Sequence, residues 1–174
     1  MFVICSNDNV IMKKILLLLL FAMCVMNLSA QHIKFLGIPL GQSLSVFNQQ
    51  LKQKGFIQEF YGISTIMYSG TFWKSQADVL VYSERGNVVK IDVKMPASTN
   101  NPGIGYNELI SSMTKKYGKC YERKNHHYTW KVNGGAICVD YTYFQGRVYQ
   151  IQYYDKTSNY YSKKFGGRNY DDDL

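Results

Sequence analysis

The sequence predicts an α+β protein: two tandem α-ββββ units forming a continuous antiparallel sheet with both helices on one face. Three observations carry that prediction. A hairpin-like alternation recurs sixty residues apart. Each copy follows a helix-spaced apolar stripe closed by a glycine. A stretch rich in Pro, Ser, Asn and Gly separates the copies. The composition agrees. With 174 residues, 46% of them hydrophobic, 18% charged and only 3 prolines, the chain can bury a core and is not a disordered polymer.

Residues 1–30 read as a leader. Met12-Lys13-Lys14 is a basic start, Ile15–Met26 is an unbroken apolar run, and Asn27-Leu28-Ser29-Ala30 offers a cleavage site. Translation then starts at Met12. The apolar run is shorter than the ~18 residues a bilayer span needs, and no later segment is longer. A lipid anchor at Cys24 is the rival reading. It needs a small residue before the cysteine, where Met23 stands. Losing the leader removes two lysines and one aspartate, so the net charge falls from +8 to +7. The expectation is a periplasmic or secreted protein. In such a compartment the remaining Cys120 and Cys138 are expected to pair as a disulfide, worth about 3 kcal/mol by loop closure.

The first unit spans residues 31–98. Ser43 is the expected N-cap of a helix with Leu44, Phe47 and Leu51 on one stripe, Lys52 and Lys54 in its last turn and Gly55 as its stop. Strand candidates follow at Phe56–Tyr61 and Thr65–Trp73. Then Val79, Val81, Val89, Ile91 and Val93 share one parity, with Asp78, Lys90, Asp92 and Lys94 on the other. A three-residue loop, Glu84-Arg85-Gly86, would pair Ser83 with Asn87, Val81 with Val89 and Val79 with Ile91.

The second unit spans residues 99–155, after a linker from Pro96 to Gly105. A helix starting near Asn107 carries Leu109, Ile110, Met113 and Tyr117, with Lys115 and Lys116 in its last turn and Gly118 as its stop. Cys120–Arg123 and Tyr128–Val132 are strand candidates. Val139, Tyr141, Tyr149, Ile151 and Tyr153 repeat the apolar parity, with Phe144-Gln145-Gly146 as the loop. Residues 156–174, ending in Asp171-Asp172-Asp173, read as a poorly ordered tail.

These repeated units resemble the tandem helix-plus-four-strand fold of the β-lactamase inhibitor protein and the small lipoprotein domain of outer-membrane assembly. Phe35-Leu36-Gly37-Ile38-Pro39-Leu40-Gly41, leading into a short helix and Lys54-Gly55-Phe56, is similar to the openings of small exported proteins of unknown function from Gram-negative anaerobes. Where the inhibitor usually opens its helix with Gly-Met-Thr, this chain has Gly41-Gln42-Ser43. The resemblance implies a fold, and a fold does not carry a function.

No Gly-x-Ser-x-Gly, no His-Glu-x-x-His and no zinc-type ligand spacing appears, so no catalytic residue, metal ligand or cofactor is expected. Adjacent His126 and His127 point apart on a strand and cannot readily share a metal. Asp78 and Asp92, expected to face each other across the first hairpin, are the best acid pair available. They carry the alternative reading, a small envelope hydrolase using acidic or histidine residues. Lys115, Lys116, Lys119, Arg123 and Lys124, interleaved with Tyr117 and Tyr121, form the densest basic cluster. Export argues against nucleic acid as its partner and favours an anionic envelope component or glycan. Tyr82, Tyr128, Trp130 and Tyr154 are the candidate partner-binding residues, because an exposed aromatic patch gives much contact area at small entropy cost. The favoured reading is a non-catalytic exported binding module that recognises a protein or envelope component through its sheet face.

Overall fold

The computed structural model describes residues 32–96, 105–124, 126–142 and 148–166. The residues read from sequence as a leader, residues 97–104 of the expected linker, Phe144-Gln145-Gly146 of the expected second turn and the terminal acidic run lie outside them.

A two-stranded ribbon, β1 (Lys34–Phe35) with β2 (Ile38–Pro39), precedes α1 (Leu44–Gln53). Four strands follow: β3 (Ile57–Tyr61), β4 (Thr65–Phe72), β5 (Ser75–Glu84) and β6 (Asn87–Pro96). After α2 (Tyr106–Tyr117) come β7 (Glu122–Lys124), β8 (His127–Val132), β9 (Gly135–Thr142) and β10 (Val148–Asp155). Both helices begin and end where the sequence places them. Gly55 and Gly118, at φ +85° and +83°, turn the chain out of them.

Among the described residues, eight strands form one antiparallel sheet in the order β3-β4-β5-β6-β10-β9-β8-β7. The β6–β10 seam joins its two halves, with Val93 opposite Ile151 and Ile91 opposite Tyr153.

Strand alternation then divides the sheet. One face carries Val79, Val81, Ile91, Val93, Val139 and Ile151, all fully buried. Phe47 and Leu51 of α1, Leu109 and Met113 of α2, and Phe35 from the ribbon pack into the same core. Burying each such side chain contributes roughly 1.5–3 kcal/mol, which lets two short helices persist.

The tail differs from expectation. Asn159–Phe165 forms α3, capped by the Ser158 hydroxyl, which accepts from Tyr161 N at 3.0 Å. It covers the other face, where Phe165 packs edge-on against Tyr154 with Ala136 and Cys138 beneath.

The first hairpin also differs in register. Its turn has two residues, Arg85 and Gly86 at φ +52° and +79°, so Glu84 pairs with Asn87. A bulge after Tyr82 shifts the ladder again, placing Val81 opposite Ile91 and Val79 opposite Val93. In the second hairpin Tyr141 pairs with Tyr149 and Ile151 with Val139. The registers differ, and the apolar parity holds in both except at Val89, which the bulge displaces so that Val88 joins the core in its place.

Candidate functional site

The α3-covered face is a lattice of polar side chains set by strand register. One transverse row runs Asp92, Gln152, Cys138, Thr129; the next runs Lys94, Gln150, Asp140, His127. Two clusters form on this lattice.

The first surrounds Lys90, which is only 9% exposed. Its ammonium donates to Asp92 Oδ2 at 2.9 Å and lies 4.4 Å from the Tyr82 ring and 5.4 Å from those of Tyr154 and Tyr160. Gln152 Nε2 donates to the other Asp92 oxygen at 3.2 Å, and Lys164 of α3 donates to Gln152 Oε1 at 3.0 Å. The buried ion pair is therefore hydrogen-bonded on both sides and roofed by rings that favour a cation. Burial, followed by the nearby Asp92 charge, pushes the Tyr82 phenol up to about 12.

The second cluster lies on β8 and β9. His127 stands opposite Asp140, and Thr129 opposite Cys138. His127 Nδ1 hydrogen-bonds Asp140 Oδ1, and Nε2 lies 3.1 Å from Thr129 Oγ1, which is 3.6 Å from Cys138 Sγ. The Asp140 hydrogen bond, then that of Cys138, lifts the His127 pKa from 6.5 to about 10 against the opposing pull of burial. The ring is thus an imidazolium at neutral pH, with a donor on each nitrogen.

Three of the four candidate partner-binding residues are buried, which corrects the exposed patch expected of them. Tyr128 and Trp130 stack in the apolar core at 7% and 0% exposure, and Trp130 Nε1 donates to Gly118 O at 3.0 Å. Tyr154 is covered by α3, and Tyr82 is half-buried beside Lys90. The four divide between opposite faces because Tyr128 and Trp130 share the apolar parity, while Tyr82 and Tyr154 do not.

The expected disulfide also needs correction. Cys120 and Cys138 are free thiols. Cys120 packs against the core beneath α1 and α2, whereas Cys138 lies under α3, so the sheet separates them.

Asp78 and Asp92 do not meet either. The shifted register places Asp78 opposite Lys94 and Asp92 opposite Leu80. His126 and His127 diverge: His126 lies at φ +66° with its ring against Tyr106, and His127 turns to Asp140. Within the basic cluster, Lys116 sits over Tyr117 and Arg123 over Tyr128, at 4.9 and 5.4 Å.

Sequence reading missed the His127-Thr129-Cys138-Asp140 block. Asn133-Gly134, the two-residue turn between β8 and β9, held the signal. Such a turn pairs Val132 with Gly135 and so fixes every pair behind it.

A pocket of about 290 Å³ opens at the end of the sheet between His32, Glu84, Arg85 and Asn159. Several of its polar side chains are paired within the fold. His32 Nδ1 lies 2.7 Å from the buried Asp155 carboxylate, and Glu84 accepts from Asn159 N and Nδ2.

The strongest exposed apolar feature lies on an edge. Ile57, Phe60, Tyr61 and Ile63 are 66%, 62%, 64% and 106% exposed on and just after β3. Among the described residues this edge has no neighbouring strand. The opposite edge, β7, has three residues and reads Glu-Arg-Lys. No helix among the described residues is long and apolar enough to cross a membrane. No protein-family model, curated protein or solved structure matches this chain.

Proposed function

We propose that the protein is a non-catalytic binding module, exported to the periplasm or beyond, that takes an extended segment of a partner protein as an added strand along β3. The carrying observation is the cluster of four exposed apolar residues on that free edge. Monomeric proteins ordinarily blunt their edges with brevity and charge, as β7 does; an apolar edge serves strand addition. Backbone pairing would supply affinity, and pockets for Phe60 and Tyr61 would supply selectivity. The same reading keeps the two tandem α-ββββ units, residues 31–98 and 99–155, and the resemblance to inhibitor and assembly domains. In its support, each half runs helix and then four strands, and the apolar parity recurs.

The test is capture from envelope extract by the 31–174 chain, with amide exchange read on the complex. The expected result is a retained protein that protects the β3 amides and is lost with Phe60→Asp plus Ile63→Asp. Retention by that variant, protection elsewhere or no retained protein overturns the reading.

A further inference from the structure

Three separate segments build the pocket at the end of the sheet. The chain before β1 brings His32, the turn between β5 and β6 brings Glu84 and Arg85, and the link from β10 to α3 brings Thr157. Behind them stands Asp155, fully buried at the end of β10. Its Oδ1 accepts from Thr157 N at 3.0 Å and from Thr157 Oγ1 at 2.6 Å. A carboxylate only accepts, so His32 Nδ1, 2.7 Å from Oδ2, carries a hydrogen and donates it. Gly41 lies against the ring, and any side chain there would take the ring's space. The neutral imidazole therefore keeps its lone pair on Nε2, which has no partner among the described residues.

Two charges of opposite sign share the rim. Glu84 accepts from Asn159 N and Nδ2 through Oε2 alone, so Oε1 has no partner among the described residues. Arg85 sits at φ +52°, the first of two left-handed turn positions that Asn, Asp or Gly usually fill. Its side chain is exposed and forms no ion pair among the described residues. A strained position of this kind persists where its side chain is used. A bare cation in the pocket would meet the Arg85 guanidinium. A plain anion would meet Glu84, with Asp155 behind it. A small zwitterion satisfies both signs. The cavity of about 290 Å³ falls just below the ~300–1,000 Å³ of sites for drug-sized ligands, which suits a smaller molecule.

We propose that this pocket binds a free α-amino acid. Arg85 takes the carboxylate with its fork of donors, Glu84 Oε1 and His32 Nε2 accept from the ammonium, and the buried Val89 gives the ligand's side chain an apolar wall. None of the lining residues belongs to β3, so this binding is separate from strand addition.

The test titrates the isotope-labelled protein with each common amino acid in turn, up to about 10 mM, which reaches millimolar affinities. Amide and imidazole resonances report the site. The expected result is that at least one amino acid gives saturable shifts at the His32 ring and at the Arg85, Gly86 and Thr157 amides. Acetate and methylammonium, which each supply one of the two charges, should bind at least roughly tenfold more weakly. Glu84→Gln keeps an acceptor for Asn159 and should weaken binding by a similar factor. Arg85→Asn is the sharper variant. Asn-Gly is a favoured pair for a turn with two left-handed residues, so this change removes the guanidinium while the turn holds. Its thermal midpoint should equal or exceed that of the wild type, and its amino-acid binding should be lost. Saturation by no amino acid, acetate or methylammonium binding as tightly as the best amino acid, or undiminished binding by Arg85→Asn overturns the proposal.

Discussion

The two faces of the sheet are made by the same strands and held by different physics. Under α1 and α2, Val79, Val81, Ile91, Val93, Val139 and Ile151 interlock with Trp130, Tyr68 and Phe35, each fully buried. Under α3, the alternate positions of those strands carry Lys90, Asp92, Cys138 and Asp140, and the apolar contribution shrinks to Ala136, Tyr154 and Phe165. Period-two alternation thus builds a stability face and a polar face from one ladder. The first resists change through volume. The second is fixed by hydrogen-bonded side-chain pairs within one strand and between neighbouring strands.

The largest expected difference tests that contrast directly. Trp130→Ala empties a fully buried site, removes the stack on Tyr128 and loses the indole hydrogen bond to Gly118 O. A loss of about 3–5 kcal/mol is expected in urea unfolding. Phe165→Ala, near the chain end and 8% exposed, should cost only about 1 kcal/mol. Equal costs would break the contrast.

Lys90→Met comes next. It leaves the buried Asp92 carboxylate with only neutral donors, Gln152 and the Tyr82 hydroxyl, and no cation. A cost of about 2–3 kcal/mol is expected, because a buried charge has lost its partner. Adding Asp92→Leu should recover most of it. If the double variant is as unstable as the single one, volume rather than pairing governs this face as well.

Much of the stability face was legible in the sequence, because alternation survives errors of register. Val81 is buried whether it faces Val89, as the three-residue loop implied, or Ile91, as the ladder has it. The polar face was harder to read, because its meaning lies in which side chains are opposite: the Asn133-Gly134 turn signals the β8–β9 pairs, whereas nothing local signals those of the first hairpin. The turn at Arg85-Gly86 puts a non-glycine at φ +52°, and the bulge after Tyr82 has no local sequence signature, so Asp78 and Asp92 were paired wrongly. Tyr128 and Trp130 were readable as core from parity alone, since Trp130 lies opposite Ile137 and Tyr128 opposite Val139. The tail concealed its helix because Ser158 and Phe165 act through tertiary contacts, a cap and a ring on Tyr154, rather than through a long periodic stripe.

The smallest expected effect concerns pH, and it asks whether pairing on the polar face stabilises the fold at all. His127 titrates near 6.5 when free and at about 10 in the fold, with Asp140 as the leading cause. A raised pKa means that the folded state holds the proton more tightly than the unfolded chain. Its contribution is therefore fully present below pH 6.5 and is lost as the pH rises through about 10. The ring and the carboxylate are each about a quarter exposed, at 26% and 25%, so solvent screens the effect. Tyrosines and lysines titrate in the upper part of this window too, so the informative quantity is a difference. Thermal unfolding of wild type and His127→Gln, compared from pH 6 to 10.5, should show a gap that is widest at the acid end and narrows steadily toward the alkaline end. A gap that stays constant would mean that His127 contributes through packing alone, which would make the two faces alike in the one respect where they are argued to differ.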